Sequence, residues 1–274
     1  MATIQVNGVN LFYEVTGTGD PLVLLHESCS SFRGWDPQVK FFSRHYQVIT
    51  YNARGYPPSD VPTDGTAYSQ EIVVEDLYQL LRALGISEAY VAGLSMGGMT
   101  ALRFAMAHPE MARGLILASA GGGATNRQQF EEGIGRLVSE FESGEFGNEA
   151  DTFMHGPSRF RLQNKSPKAW QETWSDFLNH SPEGLAHTFR SIVVARTPAT
   201  QLVAEMEQLA MPTLIIVGDE DSSCIEPGLL IRKHIPNSGL AMFPQSGHVV
   251  NVEEPELFNR IVLDFLTSVE KGHW

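Results

Sequence analysis

The feature that most constrains the fold is the run Tyr90–Gly98, in which an apolar segment leads into Gly-x-Ser-x-Gly. Gly93 and Gly97 flank Ser95, and a turn this tight between a strand and a helix leaves no room for side chains on either side. Such a turn strains the serine backbone and raises its hydroxyl above the sheet. The run therefore predicts a strand, a turn carrying a nucleophilic serine, and a helix beginning at Met96. The competing interpretation is a glycine-rich turn with an incidental serine.

Composition limits the classes of protein to which the chain can belong. The chain has 274 residues and is 42% hydrophobic, enough for one large α/β domain or a domain with an insertion. A net charge of −13 argues against nucleic acid and anionic membranes as partners. Cys29 and Cys224 lie far apart and predict neither a disulfide framework nor a metal site. Residues 1–10 lack a signal-peptide pattern and no apolar run approaches 18 residues, so we expect a cytoplasmic protein.

The remaining periodicities predict alternating strands and helices. Apolar or alternating runs predict strands at Thr3–Val6, Leu11–Val15, Pro21–Leu25, Tyr46–Tyr51, the run that begins at Tyr90, Arg113–Ser119, Pro212–Gly218 and Leu240–Phe243. Helices are predicted at Trp35–Phe42, Tyr68–Leu84, from Met96 to near His108, at Gly228–His234 and at Pro255–Val269. This alternation is typical of a mostly parallel, doubly wound sheet of about eight strands. Residues 124–209 contain no convincing strand and many aromatic side chains, which indicates several helices.

Reactive side chains follow four of the predicted strands. His26, Ser95, the acidic run 219–221 and the segment 246–248 each follow the end of a predicted strand. Because ligands of such sheets bind outside the carboxyl ends of the strands, all four groups should meet at one edge. A serine hydroxyl needs a base to become nucleophilic, and the base needs an acid to fix its tautomer. The chain offers Ser95, then one of the acids at 219–221, then His248.

This order and these motifs resemble the α/β-hydrolase family over essentially the whole chain. The matching pieces are Leu24-Leu25-His26, Asn52-Ala53-Arg54-Gly55, Gly93 to Gly98, Val217 to Asp221 and Gly247-His248. The resemblance implies the α/β-hydrolase fold, with a core domain at 1–123 and 210–274 and a helical cap at 124–209. It also implies Asp221 as the acid, three residues after Gly218, with Asp219 and Glu220 as the alternatives.

The resemblance further implies an oxyanion hole made by the backbone N–H groups of Ser28 and Met96. The chain departs from the family beside it, because Glu27 stands where a glycine usually follows the histidine. This departure leaves Cys29 as an alternative donor to Ser28. We expect the Glu27 carboxylate to turn outward or to pair with an arginine such as Arg33 or Arg54. Asn52 is a second departure, since the family often has aspartate there.

Several other residues are expected to be structural. His26 should hold its loop by hydrogen bonds, Arg54 should anchor a loop, and Cys29 should be a small buried hydrophobe. Trp170, Trp174 and Phe177 recur at helical spacing and should pack the cap against the core.

The sequence favours a serine hydrolase that cleaves a small or medium carboxylic ester, with neither cofactor nor metal. The alternatives are a lactonase, amidase or carbon–carbon hydrolase on the same triad, a cofactor-free haloperoxidase or perhydrolase, and a non-catalytic receptor. We expect a small-molecule ester as the partner, no nucleic acid or membrane, and a monomer or homodimer.

Overall fold

A single eight-stranded sheet organises the chain. The computed structural model describes residues 2–124, 126–157 and 159–274. The strands are β1 Ala2–Val6, β2 Val9–Thr16, β3 Asp20–Leu25, β4 Tyr46–Tyr51, β5 Ala89–Leu94, β6 Ala112–Ala118, β7 Thr213–Gly218 and β8 Ser238–Phe243. They lie in the order β1-β2-β4-β3-β5-β6-β7-β8. Only β2 runs antiparallel to both of its neighbours, and the pairs from β4 to β8 are parallel. The predicted fold class is therefore confirmed.

The α-helices connect and cover these strands. They are α1 Asp36–Phe42, α2 Gln70–Ala83, α3 Met96–Ala107, α4 Arg127–Glu142, α5 Asn148–Met154, α6 Phe160–Lys165, α7 Pro167–Leu178, α8 Pro182–Thr188, α9 Val203–Met206, α10 Ser222–His234, α11 Val250–Glu253 and α12 Pro255–Glu270. Helices α1, α3, α10 and α12 pack directly against the sheet. None of the helices in the described ranges is long and apolar enough to cross a bilayer.

The core follows from the apolar strands. Every residue of β5 and of β7 is buried, as expected for central parallel strands covered on both faces. Helix α12 presents Phe258, Val262 and Phe265 as a buried stripe against this sheet. The carboxyl ends of β3, β5 and β7 consequently open onto one edge of a rigid layer.

Two of the predicted helices begin two or more residues away from their predicted starts. Helix α10 begins at Ser222, six residues before the predicted start, and continues through Pro227. Helix α2 begins at Gln70, two residues later than predicted, because the Ser69 hydroxyl accepts the Ile72 N–H and caps the helix there.

Helices α4 to α9 all lie between β6 and β7, within residues 124–209, which we call the insertion. The division of the chain into a core and a cap domain stays a prediction. The aromatic stripe on α7 packs within the insertion: Trp170 and Trp174 contact His155, and Phe177 contacts Phe141. These aromatic neighbours all lie in the insertion, and the packing of the stripe against the core stays a prediction.

Candidate active site

Ser95 lies on a strained turn between β5 and α3. Its φ of 55° and ψ of −109° fall in a region that non-glycine residues rarely adopt. A Cβ on Gly93 would lie 2.2 Å from the carbonyl carbon of Gly97, and a Cβ on Gly97 would lie 2.2 Å from the carbonyl oxygen of Leu25. Both glycines are therefore required by sterics, and the backbone they allow brings Ser95 out of the sheet beside the end of β3.

His248 meets the acid that the resemblance implied. Its Nδ1 lies 2.7 Å from Oδ2 of Asp221, which is at the start of α10. The other oxygen of Asp221 accepts the hydroxyl of Ser223 at 2.8 Å. The two alternatives are engaged elsewhere, since Asp219 accepts the Ser246 N–H at 3.2 Å and Glu220 pairs with Arg161 of the insertion. The geometry places Asp221 alone of the three against the imidazole.

The electrostatics of this pair favour a charged imidazole. Burial opposes the charge of His248, but the negative charge of Asp221 and their hydrogen bond outweigh it and raise the pKa of His248 well above its usual value. Burial likewise opposes the charge of Asp221, but His248 and the hydroxyl of Ser223 hold the pKa of Asp221 below its usual value. Asp221 is thus arranged to stabilise the imidazolium that forms when His248 accepts a proton.

A cavity of about 420 Å³ joins these residues. Ser28, Ser95, Asp221 and His248 line its base. Apolar residues of the insertion line its upper wall, namely Phe130, Ile134, Leu137, Phe153, Phe189 and Val193. The structure therefore brings four of the five predicted site residues to one cavity that is largely apolar elsewhere. The fifth, Met96, is the buried first residue of α3, next to Ser95 in the chain.

The loop that follows β3, residues 26–31, decides which backbone groups are available to an oxyanion. We call it the β3 loop. The N–H of Cys29 donates to Oε2 of Glu27 at 3.0 Å, so this alternative donor is already used. The hydroxyl of Tyr56 donates to the carbonyl of Ser28 at 2.8 Å and fixes the peptide on the other side. Within the described ranges no group accepts the N–H of Ser28, which leaves it the better candidate.

Glu27 pairs with an arginine, as one expected alternative had it, but the partner is Arg159 and not Arg33 or Arg54. Its side chain is 1% exposed and its Oε2 lies 2.7 Å from Nη2 of Arg159, which is also buried at 2% exposure. Arg54 instead pairs with the buried Asp76 at 2.6 Å and donates to the carbonyl of Ala67, so its predicted role as a loop anchor is correct. Sequence spacing gave no sign of the Glu27–Arg159 contact because 132 residues separate the two partners.

His26 and Cys29 have the structural roles expected of them. The N–H of Ala53 donates to Nε2 of His26 at 3.0 Å, so Nδ1 carries the proton and donates to the carbonyl of Glu27 at 2.8 Å. Burial lowers the pKa of His26 to about 4, which makes it a neutral hydrogen-bonding group. Cys29 is fully buried, and burial raises the pKa of its thiol beyond the usual range.

Two further groups near the triad were not singled out by sequence reasoning. Arg196 lines the cavity at 7% exposure, with Nη2 donating to the carbonyl of Gly122 at 2.9 Å. Burial lowers the pKa of Arg196 to about 10, so it stays charged at neutral pH. Cys224 packs beside the imidazole, with Sγ 3.9 Å from Nδ1 of His248, and donates to the carbonyl of Ser119 at 3.2 Å. Neither Arg196 nor Cys224 belongs to a local sequence motif, so the sequence alone did not indicate a role for them.

Asp221, Cys224 and His248 also form a cluster of potential metal ligands, with their donor atoms within 4.8 Å of one another. The hydrogen bond from His248 to Asp221 and the bond from Cys224 to Ser119 already occupy these groups. The donor set therefore fits a hydrogen-bonded triad better than a metal centre.

The fold and this site define the class of protein. The chain belongs to the α/β hydrolase fold family, which it matches over residues 20–255. A 3-oxoadipate enol-lactonase of Acinetobacter baylyi is 27% identical over 274 residues, covering 96% of this chain and 95% of that protein. A 2-hydroxy-6-oxo-6-phenylhexa-2,4-dienoate hydrolase of Burkholderia cepacia is 27% identical, covering 97% and 95%. A thermophilic esterase of Thermogutta terrifontis superposes with a TM-score of 0.88 at 25% identity, covering 98% and 99%. The similarity to these enzymes supports hydrolase activity.

Proposed function

We propose that this protein is a serine hydrolase that cleaves a small or medium carboxylic ester through an acyl-enzyme. The observation that carries the proposal is the 2.7 Å contact between His248 and Asp221 in a cavity that Ser95 also lines. A hydroxyl on a strained turn, a base and an oriented acid are the parts that nucleophilic acyl transfer requires. The largely apolar cavity of about 420 Å³ suits a compact acyl or aryl ester.

In the proposed reaction, His248 takes the proton of Ser95 as the serine oxygen bonds to the acyl carbon of the ester. The carbonyl oxygen becomes an oxyanion, which the N–H groups of Ser28 and Met96 stabilise. Collapse of this intermediate breaks the bond to the leaving alcohol, which receives the proton from His248. Water then attacks the acyl-enzyme with His248 again as base, releasing the acid and restoring Ser95.

The test is p-nitrophenyl ester hydrolysis combined with a fluorophosphonate probe, which bonds covalently to an activated serine. Wild-type protein should turn over acetyl and butyryl esters and become labelled at Ser95. Ser95→Ala and His248→Ala should each lower kcat by several orders of magnitude, and the double variant should be little worse than either single variant. Substantial ester turnover by folded Ser95→Ala would overturn the proposal, and a wild-type protein that neither turns over nor reacts would indicate a receptor.

A second candidate is a lactonase or esterase whose substrate carries its own carboxylate. The observation that favours it is Arg196, a buried cation on the cavity wall that contacts no carboxylate within the described ranges. A buried charge is costly unless it is paired, and a bound acidic substrate would supply the partner.

A matched pair of esters separates this candidate from the first. Arg196→Met should raise KM for p-nitrophenyl hemisuccinate by roughly ten- to a hundredfold, the value of a charge-assisted hydrogen bond of about 1.5–3 kcal/mol. It should leave KM for the uncharged p-nitrophenyl butyrate almost unchanged. Equal effects on both esters would count against an acidic substrate.

A further inference from the structure

The insertion contacts the β3 loop at two points. Arg159, just before α6, forms the buried ion pair with Glu27 at 2.7 Å. Asp176 on α7 accepts the N–H and the hydroxyl of Ser31, both at 2.9 Å. Each end of the loop segment 27–31 is therefore held by a charged side chain that comes from the insertion.

The contact between Arg159 and Glu27 helps to fix the backbone of the β3 loop, which lies beside Ser95. One oxygen of Glu27 accepts both the N–H of Cys29 and the guanidinium of Arg159. Because Tyr56 binds the carbonyl of Ser28, the peptide between Ser28 and Cys29 is fixed from both sides. The same bond removes the Cys29 N–H from the set of oxyanion donors and leaves that of Ser28.

Arg159 also neutralises a charge that would otherwise oppose the reaction. A carboxylate at 1% exposure beside the oxyanion position would repel the developing negative charge in a poorly screened environment. The other titratable groups that face Glu27 are His248, His26, His180, Cys29 and Tyr56. Burial raises the pKa of Tyr56 well above its usual value, so its hydroxyl stays neutral. Burial lowers the pKa of His26 and His180 to about 4 and raises that of the Cys29 thiol, so these three are neutral. Arg159 is thus the permanent countercharge of Glu27.

We propose that Glu27 and Arg159 are positioning residues for the oxyanion hole, so that the insertion fixes the β3 loop with the Ser28 N–H free for the transition state. This proposal rests on the proposed serine hydrolase. It predicts that breaking the pair weakens binding of the oxyanion far more than binding of the uncharged ester.

The experiment compares p-nitrophenyl acetate turnover with inhibition by a trifluoromethyl ketone, which adds to Ser95 and forms an oxyanion in the same hole. Arg159→Met should lower kcat roughly ten- to a hundredfold, below the 10²–10³ lost when an oxyanion donor is deleted. The inhibition constant should rise by a similar factor while KM stays within about threefold of wild type. Arg159→Lys keeps the charge and should recover part of both losses.

The matched control is Lys165→Met. Lys165 also lies in the insertion and pairs with Glu254, and neither residue touches the β3 loop or lines the cavity. Its Nζ also donates to the hydroxyl of Ser246 at 3.3 Å, but that hydroxyl keeps its own bond to the carbonyl of Pro244 in the variant. This variant should keep wild-type kcat and inhibition. A Glu27→Gln/Arg159→Met double variant removes both charges and should be no worse than Arg159→Met alone, because no unpaired carboxylate remains.

Three results would overturn the inference. The first is a folded Arg159→Met with kcat and inhibition within twofold of wild type, and the second is an equal loss in Lys165→Met. The third is a loss of kcat without weaker inhibition by the ketone. If Arg159→Met does not fold, the same comparison is made on Arg159→Lys. Failure of the proposed function is distinguishable, because it would show as ester turnover that survives Ser95→Ala.

Discussion

Asp221→Asn tests the central pair of the site with almost no change in shape. One oxygen of Asp221 accepts the hydroxyl of Ser223 at 2.8 Å and the other lies 2.7 Å from Nδ1 of His248. In the variant, the amide oxygen keeps the Ser223 hydroxyl as its donor, which turns the NH2 group toward His248. An N–H donor at that position favours the tautomer with its proton on Nε2, and that tautomer cannot accept the proton of Ser95.

The magnitude follows from the loss of the productive tautomer and of the charge that stabilises the imidazolium. In the general Ser-His-Asp template this change lowers kcat by roughly 10⁴, or about 5 kcal/mol. Asp221 raises the pKa of His248, so its removal should lower that pKa. Because the base must be neutral, the acid limb of kcat/KM should move to lower pH while the plateau falls.

The assay is the pH profile of p-nitrophenyl butyrate hydrolysis from pH 5 to 9 for wild type, Asp221→Asn and Asp219→Asn. Asp219 contacts the Ser246 N–H and not the imidazole, so its variant should lose less than about tenfold. A larger loss in Asp219→Asn than in Asp221→Asn would refute the assignment of the acid. An unchanged acid limb in Asp221→Asn would refute the account of the pKa.

Two further predictions concern the scaffold and are checked by urea unfolding. Gly97→Ala should destabilise the fold by at least about 3 kcal/mol and abolish turnover, because its Cβ would lie 2.2 Å from the carbonyl oxygen of Leu25. Arg54→Met should lower the free energy of unfolding by about 3–5 kcal/mol, because it leaves the buried Asp76 without its cationic partner. Arg161→Met breaks a half-exposed ion pair with Glu220 and should lower the free energy of unfolding by no more than about 1 kcal/mol.

The parts of the structure that the sequence predicted are those that local physics determines. The strand at Tyr90, the glycines beside Ser95 and the start of α3 follow from hydrophobic pattern and sterics within nine residues. Local rules were less reliable for α10, which begins six residues before the predicted Gly228 and continues through Pro227. In the fold, Pro227 lies inside α10 and packs against Gly121. Such tertiary contacts can override local helix propensity.

Contacts between residues far apart in the chain could not be predicted from these local patterns. The partner of Glu27 was sought among arginines nearby in the chain, whereas the structure supplies Arg159 from the insertion. Arg196 reaches the cavity wall because a π-helical turn at 189–194 and the following segment carry it there. No hydrophobic period or motif spacing in the sequence predicts the position of Arg159 or Arg196. Both positions depend on how the helices of the insertion pack over the edge of the sheet.

The departure at position 27 is best understood together with position 159. A glycine after His26, as the family usually has, buries no side chain and requires nothing of the insertion. A glutamate there is tolerable only with a cation, because an unpaired buried carboxylate would cost several kcal/mol or take up a proton. Because Arg159 supplies that cation, the carboxylate stays charged and accepts a hydrogen bond from the Cys29 N–H at 3.0 Å. This bond fixes the backbone of the β3 loop. The ion pair therefore makes the geometry beside Ser95 depend on a residue of the insertion, which a glycine at position 27 would not do.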